Sequence, residues 1–450
     1  MAHWSEDAIF YHIYPLGLCG APERNDFSLP AQPRLERLYE WMDHITWLGA
    51  NAVYLGPVFE STAHGYDTAD YFTVDRRLGT NETLARVTEE FHRRGVRVVL
   101  DGVFNHTGRD FWAFRDILAR GQGSPFCGWY SNLRFDQRSP WGDPFSYEGW
   151  AGNFDLARLN LGNPDVKNHL LAAVESWMRD FGIDGLRLDA ADCVSLDFQR
   201  ELAAFCRRSR PDFWLMGEVV HGDYRQWANP ETLDSVTNYE CYKGLYSSLN
   251  DANFFEIAYA FNRQFGPGGI YNGLPLYAFV DNHDVNRVAS NLKDQAHLYP
   301  LYAMLMTMPG TPSIYYGSEF GLTGRKNGSD APLRPALNLG RLNASSPQPE
   351  LRSAIHRLAE LRRQHSALRS GSYIQMQVAA QQFVFQRQSA DERLVVALNS
   401  ASQPAALLLN LPQGGGWLED VLNPGEGFAV HNGQAHVTLP PNWARVMQVK

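Results

Sequence analysis

Asp189 and Glu218 close two apolar runs, GLRLD (residues 185–189) and FWLMGE (residues 213–218). They stand roughly 30 residues apart, the length of one strand-and-helix unit in an α/β barrel. Two carboxyl groups at neighbouring strand ends can face each other across one linkage. That is the apparatus for cleaving an acetal: one acts as nucleophile, and the other, with a raised pKa, acts as acid and then base. Enzymes that retain configuration hold the pair about 5 to 5.5 Å apart, so neighbouring strand ends favour retention. Arg187 lies two residues before Asp189 and points to the same side of its strand, where opposite charge is expected to lower the Asp189 pKa and orient it.

Two more apolar runs end the same way. DGVFNH (residues 101–106) brings Asn105 and His106, and FVDNHD (residues 279–284) brings His283 and Asp284. Asp284 and His283 fit hydroxyl binding and stabilisation of a cationic transition state, and His106 fits a similar task. Taken singly, a strand-end Asp is more often a helix cap and a lone His an ordinary polar contact. Independent caps give no reason for an Arg, an Asn-His and an Asn-His-Asp to gather at the same end of successive strands.

The elements that position these residues follow from the apolar pattern. Short runs with little alternation read as strands buried on both faces of a parallel sheet, and charge at their ends is costly unless it faces a solvated site. A strand at residues 8–16 precedes a helical stretch whose apolar residues Leu35, Leu38, Trp41, Met42, Ile45 and Leu48 recur at threes and fours. NAVYLGPV is the second strand, residues 96–104 the third, and a helix over residues 164–181 leads to the fourth at Gly185. Repeated strand and helix units predict an α/β fold, a (β/α)8 TIM barrel with its catalytic face at the strand C-termini. The barrel is expected over residues 1–106 and 156–370. An irregular insertion after strand 3, rich in Gly, Pro, Asn and aromatics, takes residues 107–155, and a C-terminal antiparallel β-sandwich takes residues 371–450.

Composition excludes several classes. A net charge of −9 over 450 residues argues against nucleic acid or an anionic membrane as partner, whereas a neutral substrate fits. The 12 Trp suggest stacking surfaces, although most aromatic rings should be core. The five widely spaced Cys contain no CxxC pair and read as reduced thiols, with Cys193 expected to be buried beside the fourth strand. The first ten residues lack a basic segment followed by an apolar stretch, so a cytoplasmic location is expected. The longest apolar run, residues 298–308, contains Pro300 and is too short to cross a bilayer.

On these motifs the chain resembles the α-amylase family, glycoside hydrolase family 13. DGVFNH, GLRLDAAD, GEVVH and FVDNHD resemble its four signatures, and GTPSIYYGSEFGL (residues 310–322) resembles its closing barrel strand. The resemblance implies Asp189 as nucleophile, Glu218 as general acid/base and Asp284 as third carboxylate, with Arg187, His106 and His283 around the first sugar. In HGYDTADY (residues 64–71), Tyr66 matches the ring that stacks on that sugar, and its neighbour Asp67 joins the implied substrate-binding set. Details of the insertion exit, and His221 after GEVV, resemble the cyclomaltodextrinase and neopullulanase branch. This implies α-1,4 and also α-1,6 cleavage of short linear or cyclic maltooligosaccharides. Transglycosylation is an open alternative; a third is an inactive amylase-like binding protein, against which the intact Asp189, Glu218, Arg187 and Asp284 argue. Asp192 and Cys193 occupy the places where secreted α-amylases carry Lys-His, which removes a ligand of the usual calcium site. Calcium seeks six to eight oxygens and Asn105 alone cannot build a site, so no metal and no other cofactor is predicted. The sequence starts at the first barrel strand, without the branch's N-terminal sandwich; a homodimer is left open.

Overall fold

The computed structural model describes residues 3–411 and 416–450. Met1 and Ala2, the start of the segment read for targeting, and residues 412–415, within the expected C-terminal sandwich, lie outside the described residues. Eight short strands carry the architecture: β1 (Phe10–Ile13), β2 (Ala52–Leu55), β3 (Arg97–Gly102), β4 (Gly185–Leu188), β5 (Trp214–Gly217), β6 (Ser235–Val236), β7 (Tyr277–Phe279) and β8 (Thr311–Tyr315). They form one parallel sheet in the order β7-β8-β1-β2-β3-β4-β5-β6. A parallel bridge between Thr237 and Tyr277 joins its two ends, so the sheet closes into a TIM barrel.

Side chains alternate along each strand, and this sorts the barrel interior into layers. The lower layers are apolar: Phe10, Val99, Trp214, Met216, Tyr277 and Phe279 pack together, with the Phe10 and Trp214 rings stacked at 5.0 Å. Two residues further along each strand the inward positions turn polar, at His12, Asp101, Arg187 and Glu218. Register then decides who meets whom: Asp101 pairs with Arg187, and Leu188 with Gly217. The residues just past β4 and β5 are therefore adjacent.

The insertion is more regular than its composition suggests. It contains a helix, Trp112–Arg120, and an antiparallel sheet of His106–Gly108, Asn153–Arg158 and Gly149–Trp150. The helix buries Ala113, Phe114 and Ile117 as a single stripe, too short to stand out among the flanking Gly and Pro. Arg109 forks onto Asp143 with two 2.8 Å contacts and packs over the Phe114 ring, locking the subdomain from inside. In the C-terminal region, a six-stranded antiparallel sheet and a two-stranded one enclose a second core of Val384, Val395, Leu409, Leu418, Val437 and Met447. A buried arginine of this region, Arg387, binds it to the barrel by donating to the Thr307 carbonyl (2.6 Å) at the end of the helix Leu298–Thr307, where Arg362 of the last barrel helix also donates to Met306 (2.9 Å). Among the described residues no helix is long and apolar enough to cross a membrane.

At the opposite end of the barrel, Asp184 just before β4 accepts from Arg97 (2.7 Å), Arg210 (3.0 Å), His92 (2.7 Å) and the Val98 N–H (2.8 Å). Burial alone would raise its pKa, but these partners together hold it below the ordinary value. A depressed carboxylate stabilises the fold above its unfolded pKa, near 4, and that contribution is lost as pH falls through the folded value. Asp184→Asn should cost about 2 to 3 kcal/mol at neutral pH, less than a fully buried pair because Arg97 and Arg210 are about one-third exposed. Thermal unfolding of both proteins checks it: the gap between their midpoints should shrink from pH 7 to pH 3, and a constant gap refutes the assignment.

Candidate active site

Arg187 is the hub. It is buried, and its Nη1 donates to both oxygens of Asp101 (2.8 and 3.0 Å) and to Asp189 Oδ1 (3.0 Å), while Nη2 lies 2.7 Å from Glu218 Oε2. One guanidinium thus holds the strand-end carboxylates of β3, β4 and β5. The barrel places them there because Arg187 and Asp189 share a face of one strand and Glu218 ends the next. Backbone bonds complete the junction: Glu218 N–H donates to Leu188 (2.9 Å) and Ala191 N–H to the Glu218 carbonyl (3.0 Å). The Ala190 N–H reaches Glu218 Oε2 at 3.1 Å. To make this turn Ala190 adopts φ of 44°, a left-handed conformation costly for a residue with a Cβ.

Burial pushes Asp189 well above the ordinary carboxylate range; Arg187 opposes this, and the charges of Glu218, Asp101 and Asp284 add to it. The expectation that Arg187 would depress the Asp189 pKa is corrected here. Desolvation and like charge outweigh one cation that Asp101 and Glu218 share. Glu218 is also raised, by burial first, with Arg187 again opposing. Carboxyl groups this close titrate as a pair and hold one proton between them over an intermediate pH range. Asp284 behaves differently. Burial raises it, but His283 Nε2 at 2.9 Å and Arg334 Nη2 at 2.8 Å prevail and draw it well below the usual range, so it stays ionised.

The aromatic and imidazole groups surround this cluster. Tyr66 donates its hydroxyl to Asp101 Oδ2 at 2.9 Å, contacts His283 Nε2, and lies nearly parallel to the His283 ring at 5.5 Å. Burial pushes His106 down to about 3, so it is neutral at physiological pH. Its Nε2 is buried without a hydrogen-bond partner, 4.0 Å from Asp189 Oδ2. A neutral imidazole nitrogen so placed suits a substrate hydroxyl. These groups line a cavity of about 860 Å³, whose walls include Tyr66, His106, Trp150, Cys193, Tyr239 and Arg334.

The structure brings Asp189, Glu218, Asp284, Arg187, His106, His283 and Tyr66 together. Asp67 is buried instead beneath the turn that presents Tyr66, where its carboxylate accepts the Gly65 N–H at 3.2 Å. His221 is exposed one residue beyond Val220 and lies outside the cavity wall. Cys193, expected to be buried, is exposed at the cavity: after the Ala190 turn the chain leaves the barrel before re-entering it in the helix Leu196–Ser209. Sequence reasoning passed over Asp101, although it opens the DGVFNH motif, and Arg334. The latter donates to the His283 carbonyl (2.9 Å), Asp284 (2.8 Å) and Asp330 (3.0 Å) from an irregular segment with no periodic signal. No group of three or more His, Cys, Asp or Glu among the described residues is arranged to hold a metal. The Asn105 backbone carbonyl accepts the Leu159 N–H (2.9 Å), and its side-chain amide donates to His106 Nδ1 (3.2 Å).

Comparison with known proteins gives consistent matches. The family model "Alpha amylase, catalytic domain" matches residues 34–364. A cyclomaltodextrinase from a Bacillus species is 33% identical over 420 residues, covering 88% of this chain and 73% of its own. Neopullulanase 2 from Thermoactinomyces vulgaris is 31% identical, covering 97% and 77%. Among solved structures, the cyclic alpha-maltosyl-(1→6)-maltose hydrolase from Arthrobacter globiformis superposes with a TM-score of 0.83 over 100% of both chains at 25% identity.

Proposed function

The chain belongs to the alpha-amylase family of glycoside hydrolases, and from this premise we propose that it hydrolyses α-1,4 bonds, and also α-1,6 bonds, of short linear or cyclic maltooligosaccharides through a covalent glycosyl-enzyme. The observation that carries the reading is the single Arg187 guanidinium touching both Asp189 and Glu218. In the competent state Asp189 is ionised and Glu218 carries the shared proton. Glu218 protonates the glycosidic oxygen as Asp189 attacks the anomeric carbon; Glu218 then deprotonates the water that releases the sugar. Arg187 steadies both carboxyl groups, Asp284 with His283 binds hydroxyls and favours positive charge at the sugar ring, and His106 donates to a hydroxyl. Tyr66 offers its ring face to the same sugar. Asp67 holds the turn that presents Tyr66, and the exposed His221, next to Val220 of the cavity wall, stays in the proposed substrate-binding set.

The similarity to a cyclomaltodextrinase and a neopullulanase supports the substrate class. We propose further that activity needs no metal, since Asp192 and Cys193 stand where the calcium-binding relatives carry Lys-His, and that the enzyme works in the cytoplasm, a setting that suits its five free thiols. Incubation with maltotriose and with cyclodextrins, with and without a strong chelator, followed by chromatography, tests the reading. Glucose and maltose should appear equally in both conditions. Products longer than the substrate would favour transglycosylation, and no turnover of any α-glucan would refute the proposal.

A further inference from the structure

The segment after β1, residues 21–33, forms neither helix nor strand, yet Ala21, Pro22 and Glu23 line the catalytic cavity. Its course is set by the segment after β2. Asn25 N–H donates to Thr62 (2.8 Å), Gln32 N–H to Arg76 (2.8 Å), and the Asn25 side-chain amide to Ser61 (2.9 Å). Arg77 makes the decisive contacts. Only 4% exposed, it forks onto Asp75 through Nε (2.9 Å) and Nη2 (2.7 Å), and Nη2 also donates to Ser61 Oγ (2.8 Å). That leaves Nη1, which donates to the carbonyls of Ala63 (2.7 Å), Pro22 (3.0 Å) and Glu23 (3.2 Å). All three acceptors belong to residues of the cavity wall. Arg77 itself is absent from that wall and touches none of the reacting carboxylates.

In a closed eight-strand barrel β1 stands diametrically opposite β5, the strand that ends in Glu218. A chain seated at Glu218 and Asp189 and running across the mouth meets the wall that Arg77 fixes. We propose that Arg77 is a positioning residue that holds this wall across the cleft, and so sets the preference for short chains without taking part in bond cleavage. The inference rests on the α-glucan reading above.

Two variants test it in the full chain, with maltotriose and maltoheptaose as substrates and thermal unfolding as a check of folding. Arg77→Lys keeps a cation opposite Asp75 but lacks the fork that reaches the carbonyls; Pro22→Gly loosens the wall and leaves the Arg77–Asp75 pair intact. In both, KM for maltotriose should rise about five-fold or more with kcat within about two-fold, so that relative kcat/KM shifts about five-fold toward maltoheptaose. Should Arg77→Lys fail to fold, Pro22→Gly decides. An unchanged ratio, or an equal loss of kcat on both substrates, overturns the inference while leaving the glucan reading in place. Wild-type enzyme that cleaves neither substrate overturns both.

Discussion

Glu218→Gln should lower kcat on maltooligosaccharides by on the order of 10²- to 10⁴-fold, the usual worth of a positioned proton donor. The substitution is clean because the Arg187 and Ala190 contacts both fall on Oε2, which a glutamine side-chain oxygen can replace. Fold and substrate binding should therefore survive. A substrate whose leaving group needs no proton, such as an α-glucosyl fluoride, should recover most of the glycosylation rate. The pH profile supplies a second readout. Wild-type activity should fall at high pH as Glu218 loses its proton and at low pH as Asp189 gains one. In the variant the alkaline limb should vanish. The acid limb should stay near its wild-type position, since Glu218 is already protonated, and as uncharged as glutamine, when Asp189 gains its proton. Steady-state kinetics from pH 4 to 9 check all of this, and unchanged turnover would refute the assignment of Glu218.

Asp189→Asn should be at least as damaging, with a loss on the order of 10⁴-fold or more, because an amide cannot form the covalent intermediate. Leaving-group activation should not rescue it. The variant should nevertheless be no less stable than wild type, since it removes a buried negative charge crowded by Glu218, Asp101 and Asp284. Full activity on glucosyl fluoride would contradict the nucleophile role, and a collapse of thermal stability would show that Asp189 is needed for folding.

Much of this site was legible because strand geometry is simple. A residue two before another shares its face, and neighbouring strands in a parallel barrel end side by side, so Arg187, Asp189 and Glu218 could be grouped from their spacing alone. Asp101 was harder: its importance comes from the register that sets it opposite Arg187, and from the Tyr54 and Tyr66 hydroxyls that reach it from other segments. Arg334 lies in an irregular stretch whose course is fixed by tertiary contacts, so no local pattern announces it. The Asp189 pKa was misjudged for a related reason. Sequence shows that an arginine is near, but not that three carboxylates divide it in a largely buried site. Family likeness placed Asp67 and His221 in the substrate set; the structure buries Asp67 in the turn that carries Tyr66 and leaves His221 exposed beside Val220 of the cavity wall. The exposure of Cys193 depends on Ala190 leaving the strand in a left-handed turn, which its neighbours Asp189 and Ala191 do not foretell.

The central claim is a double displacement in which Asp189 becomes covalently bound to the sugar that Glu218 helps to release. Trapping with 5-fluoro-α-glucosyl fluoride, then proteolysis and mass spectrometry of the labelled peptide, tests it most directly. A single glucosyl adduct on Asp189 is the predicted result; an adduct on any other side chain, or efficient turnover of the reagent by an enzyme that never carries label, would contradict it.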